Sequence, residues 1–138
     1  MAEITRKSDD ENILDRTGIY IAFLTSPSLK SIYPPKNYKA KVNNQHTNVG
    51  ITKDSFRARK RDYLKSFDNE VEFIPVAIVY HELESVSVKI ISKLYSKFSR
   101  VGNALKWFHT SDRRKVIEII LQTLAENNVE HKKIVDLY

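Results

Sequence analysis

The chain has no cysteine, three glycines, and no apolar run longer than the seven residues from Ile74 to Tyr80. Each shortage excludes something. Without cysteine, disulfides, thiolate zinc sites and cysteine nucleophiles are excluded together, in keeping with a reducing compartment. Gly18, Gly50 and Gly102 are isolated, so neither GxxxxGK[ST] nor GxGxxG can be written, which removes nucleotide-hydrolysis motors and a nucleotide cofactor. Seven apolar residues fall far short of the ~20 that cross a bilayer, so no membrane partner is expected. The histidines His46, His81, His109 and His131 are scattered, and His81-Glu82-Leu83-Glu84 lacks the second histidine of HExxH, which argues against a zinc hydrolase. No GxSxG elbow is present. The first residues, MAEITRKSDDENILD, carry acidic side chains where a secretory signal needs an apolar stretch, so a cytoplasmic location is expected.

The composition is that of a globular chain: 138 residues, 41% hydrophobic and 29% charged, the size of one domain with one core. The net charge of +6 is unevenly placed. Residues 30–65 hold ten basic and two acidic groups, 66–88 five acidic and no basic ones, and 89–115 eight basic and one acidic. Two basic blocks folded into one positive surface would suit a polyanion such as nucleic acid; the plainer alternative is a solvated face that serves solubility.

Along the chain, residues 1–16 show no period and read as a loose arm with room for one helical turn, and 17–138 as a single domain. TGIYIAFL (17–24) is a strand whose alternation puts Tyr20, Ala22 and Leu24 on one face and Ile19, Ile21 and Phe23 on the other. Residues 25–47 hold three of the four prolines and read as a long loop, a candidate contact with nucleic acid or a protein partner. NVGIT (48–52) is a short strand, after which Asp54 or Ser55 caps a helix to about Phe67. Phe56, Tyr63, Leu64 and Phe67 share its apolar face with Arg59, whereas Arg57 and Arg61 point elsewhere. FIPVAIVY is a buried strand in which Pro75 is expected near the start or on an edge. A helix over 83–99 sets Lys89, Lys93 and Lys97 opposite Leu83, Ile91, Leu94, Tyr95 and Phe98. After a turn at Gly102, Trp107 and Phe108 read as core aromatics, and Thr110 or Ser111 caps a last helix through Val116, Ile117, Ile120, Leu121 and Leu124. The tail after Asn127 is ambiguous.

One ordered set of residues stands out: Gly18-Ile19-Tyr20 on a strand, Asn48-Val49-Gly50 on a second strand, Arg59 on the following helix nine residues beyond Gly50, then a strand and a helix with an early glutamate. This set resembles the GIY-YIG nuclease superfamily over about residues 17–109. SKFSRVGNALKWFHTS, with its Arg-Val turn and Trp-Phe pair, is similar to the phage-type branch. The resemblance implies an α/β (α+β) fold with a small mixed three-stranded sheet flanked by helices. It also implies a metal-dependent DNA endonuclease using magnesium (or manganese) held by a glutamate. In that reading Tyr20 deprotonates or orients the attacking water, Arg59 stabilises charge on the phosphoryl oxygens, and Lys53 or Lys41 assists. On the helical wheel Glu84 falls inside the apolar arc and Glu82 outside it, so Glu84 is the expected metal ligand, directed toward the sheet. Aligning Leu94-Tyr95 on the Leu-His of the phage-type branch instead sets the ligand position at Ile91, which would leave a catalytically inactive nucleic-acid-binding module. Asn48 stands where many members carry tyrosine or lysine, so the water-positioning partner is lost or supplied by His46 or Tyr38. Tyr63 is a further accessory candidate. Lys106 replaces an acidic residue common in the family. The DNA-tracking residues are expected to be Lys36, Lys39, Lys41, Arg57, Arg61, Lys93 and Lys97, and a double-strand cutter with one site per chain would work as a homodimer. A protein-interaction domain using the 25–47 loop is the third reading.

Overall fold

In a computed structural model, which describes residues 13–33, 40–80, 83–102, 104 and 106–135, strand β1 (Gly18–Leu24) is the centre of the sheet. Hairpin strands β2 (Lys30–Ser31) and β3 (Lys41–Val42) follow, then β4 (Thr47–Thr52), helix α1 (Phe56–Ser66), β5 (Val71–Val79), helix α2 (Leu83–Tyr95), β6 (Trp107–Phe108), helix α3 (Arg113–Glu126) and β7 (His131–Lys133). The fold is α+β, and the sheet differs from the small mixed one expected: it has five strands in the order β6-β4-β1-β5-β7, and every pairing is antiparallel. The extra strands are edge pieces of two or three residues, too short to show a period in sequence.

Because β1 has a neighbour on each side and helices over both faces, both sets of its alternating side chains are buried. Ile19 and Ile21 enter a core with Val86, Ile90 and Leu94 of α2 and Val116, Ile117, Ile120 and Leu124 of α3. Tyr20, Ala22 and Leu24 enter a second core with Phe56 and Tyr63 of α1, Phe67, Phe73 and Trp107, which also takes in Ile32 and Val42 of the hairpin. The alternation read from TGIYIAFL therefore describes two cores on one sheet.

β5 does not keep its phase. The β1 to β5 register shifts between Ile19 and Tyr20, so Ile19 opposes Ala77 while Tyr20 opposes Pro75. Ile74, Val76, Ala77 and Val79 all face α2 and α3, whereas Val71, Phe73 and Ile78 face α1. Such a bulge lets a proline sit mid-strand, which corrects the expectation that Pro75 marks a strand start. β7 covers only Ala77 to Val79, so the Val71 to Pro75 half of β5 is an edge on that side.

The local signals at α1 hold: Ser55 is the cap, its Oγ accepting from Ala58 N at 3.1 Å. α3 starts one residue later than expected, with Asp112 Oδ1 accepting from Lys115 N at 3.0 Å. α2 ends at Tyr95, four residues early, where i to i−3 bonds from Ser96 and Lys97 tighten the last turn and Arg100 bridges Phe108. Its buried positions are Val86, Ile90 and Leu94, with Ile91 and Phe98 at the margin and Tyr95 39% exposed beside Arg100. The 25–47 segment is not one loop: the β2–β3 hairpin buries Ile32 and Val42. At the other end of the chain, Ile13–Asp15 form a 3-10 turn whose Ile13 and Leu14 pack on the second core. Residues 1–12, Lys36, Tyr38, Lys39, His81, Glu82 and the side chain of Leu83 lie outside the described residues. Among the described residues no helix is long and apolar enough to cross a membrane.

Candidate functional site

At the end of β4, where the N-terminal turns of α1 and α2 meet, an open cleft of about 530 Å³ is lined by Ile51, Thr52, Lys53, Asp54, Arg59, Glu84, Ser87 and Lys106. Three cations and two carboxylates face one space, drawn from sequence positions 53 to 106. Chain geometry explains the gathering. A turn in which Thr52 Oγ1 accepts from Asp54 N at 3.2 Å and donates to Ser55 O at 3.1 Å leads β4 into α1. That turn places Lys53 and Asp54 at the cleft and Arg59 one helical turn beyond.

Arg59 lies at the rim of the second core, its side chain 31% exposed, held by Asp62 at 2.8 Å and Asp54 at 3.5 Å. Both salt bridges use Nη2; its Nε is buried and has no hydrogen-bond partner among the described residues. A buried guanidinium N–H without an acceptor is costly, and an anionic oxygen in the adjoining cleft would satisfy it.

Glu84 stands at the cleft mouth, paired with Lys53, its side chain 76% exposed. The Lys53 ammonium holds its carboxyl below the usual value, first through the hydrogen bond and then through charge. The expected inward direction is thus corrected. The arc that meets the sheet is centred on Val86, Ile90 and Leu94, and Glu84 lies roughly 120° around from it, on the flank shared with Ser87 and Ile91. Ile91 packs at the edge of the aliphatic core and does not line the cleft.

Behind Arg59 is a chain of buried hydroxyls. Tyr20 Oη lies 3.2 Å from Tyr63 Oη, and Tyr63 donates to Asn48 Oδ1 at 2.7 Å. Asn48 Nδ2 donates in turn to Lys106 O at 3.3 Å. The Tyr20 ring stacks on Phe73 with centroids 4.5 Å apart and passes directly over Gly50, where a Cβ would lie 2.4 Å from its Cζ and hydroxyl. A Cβ at Gly18 would come within 2.0 Å of Ala77 O. Both glycines are thus required by close approach, one to a ring and the other to the bulged strand.

Burial pushes the Tyr20 hydroxyl up to about 12, against opposing effects of the Tyr63 hydrogen bond and the Arg59 charge. Tyr63 is driven well above the ordinary value, first by burial and then by Tyr20. Both are neutral phenols at physiological pH, so neither acts there as a standing phenolate. Tyr33 completes the cluster: its ring meets Tyr63 edge-on at 5.0 Å, and burial together with the Asp62 carboxylate raises its pKa.

The other expected residues lie elsewhere. His46 is at the opposite end of β4, its Nδ1 accepting from Asn43 N at 3.0 Å and its ring 4.9 Å from that of His109. Burial, then His109, lower its pKa, and it cannot reach the cleft to replace a motif tyrosine. Lys41 is exposed on the hairpin and is not among the cleft-lining residues. Arg57 and Arg61 line a groove of about 480 Å³ with Leu14, on the flank of α1 away from Arg59, and Arg57 pairs with Asp15 at 3.0 Å. Lys93 and Lys97 line a third depression, of about 370 Å³, between α2 and α3. Since α1 packs on one face of the sheet and α2 and α3 on the other, these two basic groups do not merge into one surface.

Asp62, Tyr33 and Lys106 join the site without having been picked out for it. Asp62, three residues after Arg59 on one helix, was legible as an i, i+3 partner. Nothing local in the sequence brings Tyr33 or Lys106 here. Comparison with family models, curated proteins and solved structures finds no match to this chain.

Proposed function

We propose that this chain is a divalent-metal-dependent endonuclease of the GIY-YIG kind, hydrolysing DNA phosphodiester bonds in the cleft bounded by Arg59, Lys53, Lys106 and Glu84. The observation that carries the reading is Arg59: fixed by two carboxylates, with a buried Nε lacking an acceptor, on the wall of an open cleft that also holds two lysines. A phosphate oxygen supplies the missing acceptor, and a planar guanidinium suits the charge that builds on phosphoryl oxygens during displacement. Tyr20 lies close enough to feel the Arg59 charge, and Gly50 is bare because the Tyr20 ring occupies the space a side chain would take. These contacts give a physical reason for Gly18, Tyr20, Gly50 and Arg59 to occur as a set.

Hydrolysis adds water across one P–O ester bond, leaving a phosphate monoester on one side and a hydroxyl on the other. Lys53 and Lys106 hold the backbone charge, Arg59 stabilises the pentavalent oxygens, and Tyr20 orients the water. The carboxylate oxygens of Glu84 and Asp54 suit magnesium or manganese, which bind through one or two carboxylates and leave room for phosphate oxygens and water. Among the described residues no group of three His, Cys, Asp or Glu could hold a metal alone, which fits a site completed by the substrate. When bound there, the ion would supply Lewis-acid polarisation of the phosphate. Releasing Glu84 from Lys53 is inexpensive, since both side chains are largely exposed. A site with one cleft per chain cuts one strand, so a double-strand product calls for a homodimer or two encounters.

A second reading, an inactive nucleic-acid-binding module, is favoured by the neutral, buried Tyr20 and by the engagement of Glu84 with Lys53. Incubation of supercoiled plasmid with the protein in magnesium, manganese or chelator separates the two. The nuclease gives metal-dependent nicking that Arg59→Ala and Glu84→Gln abolish. Salt-sensitive DNA binding without cleavage in either metal would select the inactive module.

A further inference from the structure

The direction of the buried hydroxyl chain is decided by an amide. Asn48 Nδ2 donates to Lys106 O, so the carbonyl oxygen of the same amide is the end that meets Tyr63, at 2.7 Å. An amide oxygen accepts only, and a phenol has one proton. The Tyr63 proton is therefore committed to Asn48, and at 3.2 Å Tyr63 can only accept from Tyr20. The Tyr20 proton is in turn committed to Tyr63. The Tyr20 ring has no freedom to escape this arrangement, stacked on Phe73 and lying over the bare backbone of Gly50. What remains on the Tyr20 oxygen is lone-pair capacity, and hydrogen bonds running in one direction strengthen one another.

We infer that Tyr63, directed by Asn48, is a positioning residue that makes Tyr20 a fixed hydrogen-bond acceptor for the attacking water, Tyr63 supplying from α1 the hydroxyl that position 48 of β4 lacks. This rests on the hydrolase reading above. A water whose proton is held by Tyr20 turns its own lone pair the opposite way, and a lone pair held toward phosphorus is what in-line attack requires. A tyrosine with a free rotor would spend part of its time donating to that water and pointing the lone pair wrongly. The arrangement also explains why Asn48 is buried at 1% exposure in a strand otherwise apolar or small: its two ends are needed, one to anchor and one to direct.

Two substitutions separate direction from packing. Tyr63→Phe keeps the ring and removes the acceptor for the Tyr20 proton. Asn48→Leu keeps the Tyr63 hydroxyl but removes its acceptor, so its proton swings back toward Tyr20 and reverses the chain. Both are expected to lower kcat for plasmid nicking about 100-fold with KM for DNA unchanged. A merely structural Tyr63 hydroxyl would leave Asn48→Leu close to the parent rate. Near-parent kcat in Tyr63→Phe, in a protein silenced by Tyr20→Phe, would overturn the inference. Proton NMR of the hydroxyls gives a readout independent of cleavage. Tyr20 and Tyr63 should each show a slowly exchanging hydroxyl proton, that of Tyr63 close to the Asn48 amide in the parent and close to Tyr20 in Asn48→Leu. Hydroxyl protons in the opposite sense in the parent would also overturn it. A parent protein that shows the chain but cuts no DNA removes the hydrolase reading and the water-orienting role together, while the direction of the chain stands.

Discussion

The two faces of the sheet are built from different materials. Against α2 and α3 the core is Ile, Val and Leu, with Phe108 the one fully buried aromatic among the described residues. Against α1 it is Tyr20, Tyr63, Phe56, Phe67, Phe73 and Trp107, with hydrogen bonds buried among the rings. Aliphatic side chains stabilise by the area they remove from water and have no polar end to place. Aromatic phenols bury as much area and fix a hydroxyl to within a few tenths of an ångström, because a ring has few torsions and packs in defined orientations. The first face is a support, and the second carries the groups that reach the cleft.

The contrast can be broken from either side. The largest expected effect is on chemistry: Arg59→Lys keeps a charge but loses the planar fork, and cleavage should fall about 100-fold or more in kcat with little change in urea midpoint. Gel quantitation beside a denaturation curve checks both halves. On the aliphatic face the order reverses. Ile117→Ala should cost about 2–5 kcal/mol in urea unfolding, while the protein that remains folded nicks DNA at close to the parent rate.

A third expectation concerns pH. Tyr20 titrates at about 12 in the fold and near 10 when unfolded. The folded state therefore holds its proton longer, and the stability this contributes is complete below pH ~10 and lost as pH rises toward 12. Tyr63, raised in the same direction, adds to the loss. Unfolding curves from pH 9 to 12 should show the fall in the parent and a smaller one in Tyr63→Phe. The smallest effect should follow Glu84→Gln: its pair with Lys53 is solvent-exposed, so the melting temperature should be unchanged while metal-dependent nicking is lost. A fall in melting temperature would show that Glu84 supports the fold instead.

Short-range features were legible without coordinates. Strict alternation in β1 announced two buried faces because side chains on a strand point alternately up and down. The Ser55 cap and the Phe56, Tyr63, Phe67 stripe announced α1 because helix capping and the helical period are local. Arg59 at the edge of that stripe followed from the same wheel. Glu84 was misdirected by that method, since Ile91 and Tyr95, taken as core, sit at the margin of the true arc, which centres on Ile90. The bulge opposite Tyr20 was invisible because it depends on which residues of β1 meet β5, and no pattern within VEFIPVAIV reveals a partner's register.

The chain order therefore carried the two-sided strand, the capped helix, the charge blocks and the spacing of Gly18, Tyr20, Gly50 and Arg59. Their meaning waited on contacts between residues far apart in the chain: Tyr20 with Tyr63 over 43 positions, Asn48 with Lys106 over 58, and Lys53 with Glu84 over 31. Local pattern records the backbone's own periodicities, whereas hydrogen-bond partners, the direction of a proton and the sign of a cleft arise where separate elements are packed together. For that reason the sequence named most of the residues at the cleft, and the packing of α1 and α2 around the end of β4 assigned them their neighbours.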